Sequence, residues 1–306
     1  MDEKLKYWRV LKRDRALYLL MLPGIAYYLI FKYLPMYGVV IGFQNYSVSK
    51  GIFGSKWVGW KHFHDFFYQT PDALIIIRNT ILLNVYELIF AFPAPIILAL
   101  LLYELKNILY RRIVQTISYL PHFLSTVVIV GMVLNFLSPS SGIINHLAQW
   151  LFGIESIMFM AQPEWFRTIY IGSEIWQNVG WSTILYLAAI AGIDPTLYEA
   201  AKIDGANRWQ QMRHITLVGM LPVIVILLVL NLGRMMEVGY QKIILMYNPL
   251  IYETADVINT FVYRRGLMQA DFSFATAVGL FQSAVGLVLV IAANRAARRL
   301  TSTSLW

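Results

Sequence analysis

Apolar residues in this chain gather into about six long runs instead of recurring at every second or every third to fourth position, the pattern of helices solvated by lipid. The runs predict spanning helices at residues 17–43, 79–103, 113–138, 169–193, 217–238 and 274–294. Each is near or above the roughly 20 residues that cross a hydrocarbon core. The expected fold class is therefore all-α, a polytopic membrane protein with six transmembrane helices. The first run is too long for a signal h-region and has no small-x-small cleavage site, so it reads as a retained anchor. Lys32 and Pro35 fall midway along it, which predicts a tilt or kink, with Lys32 snorkelling outward or facing the protein interior.

The polar residues inside these runs are not scattered. Asn84, Glu87, Asn135, Glu174, Gln177, Asn178, Asn231, Arg234, Glu237 and Gln282 all fall toward the same side of the membrane, and the opposite halves are nearly all apolar. Polar groups are costly in hydrocarbon and turn toward a bundle interior or a wet cavity, so the asymmetry predicts a vestibule. Residues near helix ends also reach the headgroups without one. Agreement among five helices favours the vestibule.

Composition narrows the class. With 306 residues, 58% hydrophobic and 14% charged, and a mean hydropathy of +0.57, a water-soluble enzyme is excluded. The absence of cysteine excludes a disulfide scaffold, a thiolate zinc site and a cysteine nucleophile. The net charge of +8 reads as topology and needs no nucleic acid. The N-terminus (1–16), residues 104–112 and 194–216 and the C-terminus (295–306) hold 15 of the 25 Lys and Arg. The other ten lie on the opposite side, eight in longer connecting segments and Lys32 and Arg234 within predicted spans, so both termini are expected in the cytoplasm and the polar helix halves outside.

The segment 194–216 is the most informative. Asp194 suits an N-cap and Pro195 the first helical position; Gly205 can close that helix in a left-handed conformation, and Asn207 can cap a second short one. Leu197, Ala200, Ala201 and Asp204 share a stripe on which small side chains admit a close protein surface. On the residues alone this is a docking element on the cytoplasmic face, with a plain connecting loop as the alternative.

Here the chain resembles a known family. Glu199-Ala200-Ala201, then three residues and Gly205, then nine residues and Ile215, is similar to the EAA signature of the membrane subunits of ATP-binding-cassette importers. Val218 stands where that pattern has Pro, with Leu221-Pro222 three residues later. Leu22-Pro23-Gly24, Lys32-Tyr33-Leu34-Pro35-Met36-Tyr37-Gly38, Ser118-Tyr119-Leu120-Pro121-His122-Phe123, Ile193-Asp194-Pro195, Tyr247-Asn248-Pro249 and Ala255-Asp256-Val257-Ile258 resemble phrases of its oligosaccharide and polysaccharide permeases. Within the maltose-permease superfamily, the lipoprotein-linked polysaccharide type is the most similar.

The resemblance implies a bacterial cytoplasmic-membrane importer with a second homologous permease, two cytoplasmic ATP-binding subunits that hold ATP and Mg, and an extracytoplasmic solute-binding protein. This chain would bind no cofactor of its own. Glu199, Ala200, Ala201, Asp204 and Gly205 would form the coupling site on an ATPase subunit. Consistently, the nearest string to a P-loop, Gly51-Ile52-Phe53-Gly54-Ser55-Lys56, has the wrong spacing and lies on the outer side, so ATP would be hydrolysed by another chain.

Candidate pathway residues are Glu87, Glu174, Trp176, Gln177, Asn178, Trp181, Asn231, Arg234, Glu237 and Gln282. Trp176 and Trp181 beside Gln177, Asn178 and Asn231 offer the aromatic faces and directed polar groups that a saccharide needs, although helix packing explains the tryptophans too. Arg234 and Glu237, three apart, are expected to pair, or to serve the proton relay of a secondary transporter, the alternative to an ATP-driven importer. Arg78, Lys242, Arg264 and Arg265 would suit an acidic glycan. His62 and His64 lack further ligands for a metal, and Ser182 has no histidine placed in a helix to act as its base.

Overall fold

A computed structural model describes residues 13–300; residues 1–12 and 301–306, with Lys4, Lys6, Arg9, Lys12 and the end of the C-terminal segment, lie outside the described residues. The helices that organise the chain are α1 (Arg15–Phe43), α2 (Ala73–Glu104), α3 (Ile108–Phe123), α4 (Thr126–Phe136), α5 (Ile143–Phe152), α6 (Pro163–Ala191), α7 (Pro195–Ile203), α8 (Arg208–Gly233), α9 (Tyr240–Met246), α10 (Ile258–Tyr263) and α11 (Phe272–Leu300). Among the described residues, four helices (α1, α2, α8 and α11) are long and apolar enough to span a membrane alone, and the pairs α3–α4 and α6–α7 bring the count to six. The one sheet among the described residues is a two-residue antiparallel ribbon, β1 (Gln44–Asn45) on β2 (Lys56–Trp57).

The third predicted span, 113–138, is a correction. It is two helices meeting at 105°, with Leu124 and Ser125 extended between them and the Ser125 hydroxyl capping α4 through the Val128 amide at 3.4 Å. Pro121 ends the first helix and Ser125 starts the second, signals that the unbroken apolar run overrode. A second difference lies in the segment 194–216. The short helix expected after Asn207 does not end; it runs through a π-turn at Met212–Thr216 straight into the fifth span.

π-Turns also explain how proline is tolerated in the spans. In α2 the Phe92 amide reaches back five residues to the Glu87 carbonyl at 2.8 Å, directly before Pro93, which has no amide to donate. In α1 a π-turn at Leu29–Tyr33 precedes Pro35 in the same way. Lys32 sits in that turn and is exposed on this chain, so it does not face the interior of its own fold.

Helices in lipid gain little from burying apolar surface against one another and associate through close packing. Gly180 of α6 lies where an added Cβ would meet the Ser118 carbonyl and stand 2.8 Å from the Tyr119 amide nitrogen, so α6 crosses α3 backbone to backbone. Three buried clusters hold the helices together. One joins Leu83, Val130, Phe166 and Tyr170 to Ile243 and Met246; a second joins Phe66 and Ile76 to Phe261 and Phe274; a third joins Ala99, Tyr186, Ile190 and Met220.

Candidate functional site

Between α2, α6 and α8 lies a cavity of about 240 Å³. Its polar lining comprises Asn84 and Glu87 of α2, Glu174, Asn178 and Ser182 of α6, and Asn231 of α8, among apolar side chains such as Leu88, Phe92 and Leu227. Along α6 the lining runs from Glu174 to Tyr186, about 18 Å at the helical rise. The polar positions of three helices thus converge on one space at helical spacing, as the one-sided pattern in the sequence predicts.

Not every predicted pathway residue faces that space. Gln177 is buried beside it, accepting from Lys242 at 3.4 Å. Trp176 is exposed on the outside of the bundle and does not line the cavity. Trp181 stacks on the His122 ring, centroids 4.7 Å apart and 5° from parallel, with Phe123 edge-on. One of its faces is therefore covered by the α3 terminus, and the residue does not line the cavity. Arg234, Glu237 and Gln282 line a different, larger cleft with Tyr240 and Tyr263. No ion pair joins Arg234 to Glu237 among the described residues; α8 ends at Gly233, and the two side chains leave the helical spacing that would have paired them. The Gln282 amide donates to the Met236 carbonyl and to Asn259 Oδ1, so it pins the segment after α8.

The cations read as suited to an acidic glycan are mostly spent inside the protein. Lys242, only 4% exposed, donates to Glu174 at 2.9 Å and lies 5.6 Å from the Tyr170 ring centre. Removing either member of this pair strands a largely desolvated charge, at a cost of about 3 kcal/mol, the lower end of the usual range because Glu174 is partly exposed. Arg264 pairs with Asp256 at 2.6 Å, and that hydrogen bond raises its already high pKa. Arg265 pairs with Asp271 at 3.2 Å, and Arg78 reaches the Glu253 carbonyl at 3.4 Å.

Sequence reasoning missed a connected polar chain. The second Glu174 oxygen accepts from Asn178 at 2.5 Å, and Asn178 Oδ1 accepts from His122 Nδ1 at 2.9 Å, so Lys242, Glu174, Asn178 and His122 link α9, α6 and the α3–α4 bend. The spacing of Glu174 and Asn178 on one helix was a signal; the long-range partners carried none.

Above the cavity, residues 236–258 fold over the ends of α2 and α6. Asn79 donates to the Glu253 and Asp256 carbonyls at 2.9 and 3.1 Å, and Thr80 accepts from the Ile258 amide at 2.9 Å. Thr254 donates to the Pro163 carbonyl at 2.8 Å.

At the other end of α6 the chain turns by 69° into α7. Asp194 caps α7 through the Thr196 amide at 2.9 Å, a bond that holds its carboxyl below the usual range. Gly205 (φ +79°) closes it: the Ala206 amide donates to the Ala201 carbonyl at 2.8 Å and the Gly205 amide to the Lys202 carbonyl at 3.1 Å, a Schellman pair. Asn207 and Gln210 then form a capping box that starts α8. Glu199, Ala200, Asp204 and Gly205 are exposed, with Leu197 and Ile203, the latter 86% exposed. Concavities flank α7 on both sides: Ala201, Asp204 and Gly205 line one, and Glu199 the other with Tyr103 and Arg208. Tyr198 of α7 is tied to the base of α8 by its hydroxyl, 3.0 Å from that of Thr216, and to α2 by its ring, 6.0 Å from that of Tyr103, while Arg208 at the start of α8 stands 3.7 Å from Glu104 of α2.

No group of three or more His, Cys, Asp or Glu side chains among the described residues could hold a metal. His62 is buried, and its Nε2 donates to the Gln44 carbonyl at 3.0 Å.

Known proteins share this arrangement. The chain is 48% identical over 287 residues (94% of it, 89% of the relative) to the polygalacturonan/rhamnogalacturonan transport system permease protein YteP of Bacillus subtilis (strain 168). It is 44% identical over 302 residues (99% and 94%) to Protein LplB of the same organism. Its structure matches a permease-sized chain in the crystal structure of a bacterial alginate ABC transporter in complex with alginate pentasaccharide-bound periplasmic protein, with a TM-score of 0.90, 47% identity, and 97% and 99% of the two chains covered. Residues 91–302 match the family described as the binding-protein-dependent transport system inner membrane component. Sequence, fold and cavity agree with that match, and the chain belongs to this family of multi-pass inner-membrane transport permeases.

Proposed function

We propose that this chain is a permease subunit of an ATP-driven importer that carries an oligosaccharide or polysaccharide into the cytoplasm by alternating access. The observation that carries the reading is the membrane cavity between α2, α6 and α8, lined by carboxylates, amides and a hydroxyl, in a chain with close polysaccharide-permease relatives. Hydroxyl-rich cargo needs many directed hydrogen-bond partners and few apolar contacts, and Asn84, Asn178, Ser182 and Asn231 supply them. A system of this kind includes an external solute-binding protein and cytoplasmic ATPases. The arrangement expected here is a second homologous permease and two ATP-binding subunits that hold ATP and Mg.

Both termini and α7 then lie in the cytoplasm. Glu199, Ala200, Ala201, Asp204 and Gly205 form the coupling face: the small residues and the Gly205 turn admit an ATPase surface, and Glu199 offers it a charged partner. Closure of the ATPases would push α7, and the Tyr198–Thr216 and Arg208–Glu104 contacts would pass the movement to α8 and α2. Charge asymmetry among the connecting segments supports the orientation.

The test is uptake into proteoliposomes that contain the whole complex, comparing added ATP with an imposed proton gradient. Uptake with ATP alone is expected. Uptake with the gradient alone, and none with ATP, would establish the proton-coupled alternative instead.

A further inference from the structure

Residues 234–268 leave α8 at Gly233, cross over the cavity and return to α11; α9 packs along α4, and its side chains reach across to α6. Its inner face is Lys242, Ile243 and Met246, all buried. Ile243 and Met246 enter the apolar cluster with Leu83, Val130, Phe166 and Tyr170, which is ordinary packing. Lys242 is different. Its ammonium is enclosed by Tyr170, Glu174 and Gln177 of α6 and has left water to reach a carboxylate 68 positions earlier in the chain. Glu174 is also the outermost α6 residue that lines the cavity, so the pair stands at the boundary between the path and its cover.

We propose that Lys242 and Glu174 are a positioning pair that latches α9 over the outer end of the path, and that they part when cargo enters. The proposal rests on the transport reading and orientation above. An apolar contact at this point would hold α9 equally well in the closed state but would be penalised when the path fills with water. Two opposite charges behave in the contrary way: closed, they neutralise each other out of water; open, each is hydrated, which lowers the cost of separation. The remaining bonds of Glu174 give the latch a second attachment. Through Asn178 and His122 it holds the α3–α4 bend, so release of Lys242 frees the carboxylate that fixes both the cover and that bend. Glu87 of α2 lines the same cavity, so an ammonium drawn from Glu174 finds a second carboxyl group there to accept its hydrogen bonds.

The absence of cysteine makes the test direct. Ser182→Cys places the one thiol of this chain in the cavity, and a membrane-impermeant thiol reagent is added to the outer face of intact cells that carry the assembled complex. Modification of this chain is followed by mass spectrometry. Glu174→Gln and Lys242→Gln are each expected to speed labelling at least tenfold, Lys242→Met to do the same while keeping the packing of the stem, and the exchanged pair Glu174→Lys with Lys242→Glu to label more slowly than any of them. Rates in all three single variants equal to that of the parent would overturn the latch, and so would an exchanged pair as fast as the singles. Absence of saccharide uptake by the complex with no substitution, Ser182 included, would count against the transport reading and would leave the labelling comparison standing.

Discussion

Replacing Gly180 by alanine tests the helix crossing on which the cavity depends. The new Cβ would stand 2.8 Å from the Tyr119 nitrogen and closer still to the Ser118 carbonyl group. Ordinary heavy-atom contacts begin near 3.5 Å, so α6 and α3 must separate by at least about 0.7 Å. The obstacle is backbone and has no rotamer to yield, which puts the cost toward the top of the usual overpacking range of about 1–3 kcal/mol. Gly172 on the same helix is the control, because an added Cβ there meets nothing within 4 Å and alanine favours a helix by about 0.8–1 kcal/mol. The assay is thermal inactivation of the purified complex. Gly180→Ala should fall by roughly 6–12 °C, on a scale of about 2–4 °C per kcal/mol for a large domain, and Gly172→Ala should hold or rise. Equal midpoints for the two variants would refute the backbone crossing. A second readout comes from His122 and Asn178, which face each other at 2.9 Å beside the crossing: separation should lower uptake even where the complex survives.

Other expectations follow from single contacts. Thr80→Val would strand the buried Ile258 amide, costing about 1–3 kcal/mol, visible as a lower midpoint in the same assay; an unchanged midpoint would mean that the amide has another partner. Trp181→Ala should lower thermal stability by loss of the His122 stack while the half-saturating saccharide concentration stays within twofold; a tenfold rise with normal stability would restore Trp181 to the cargo path. Glu199→Ala and Gly205→Pro should each abolish ATP-driven uptake with membrane insertion intact, read by transport and by quantitative blotting; normal uptake in both would remove α7 from coupling. Asn145 makes four hydrogen bonds that join Leu137, Ser138 and Ile157, so Asn145→Leu should make residues 138–157 more sensitive to protease added outside, and equal digestion would contradict their structural role.

The spans were legible because hydrocarbon imposes length and polarity on any helix that crosses it, and those demands are written locally. The caps of α7 were legible for the same reason: Asp194, Gly205 and Asn207 each act on backbone groups within a few residues. What the sequence did not disclose was long-range. Lys242 reads as an exposed cation in a mixed segment until the fold sets Glu174 beside it, and Trp181 reads as a sugar platform until the bend at residues 124–125 turns His122 onto its face. Arg234 and Glu237 fail for a local reason that spacing alone missed: a three-residue interval aligns side chains only while the helix continues, and α8 stops before the first of them. The family phrases fared better than polarity at the outer side, since Tyr247-Asn248-Pro249 and Ala255-Asp256-Val257-Ile258 fall in the segment that covers the cavity, where Asn248 and Asp256 hold backbone and side-chain partners.

The closure of α7 at both ends has a mechanical consequence. A helix whose terminal amides and carbonyls are satisfied by its own residues leaves nothing dangling when it is lifted out of a socket, and needs nothing from the socket to keep its shape. Attachment then depends on side chains alone, chiefly Leu197, Glu199 and Ile203. In the coupling role proposed above, such a part would behave like a ball in a joint: it would turn against its seat without refolding, and the force it delivers to α8 and α2 would be set by how rigidly it is anchored behind, at Tyr198 on Thr216 and Tyr103, and not by how tightly it is gripped in front.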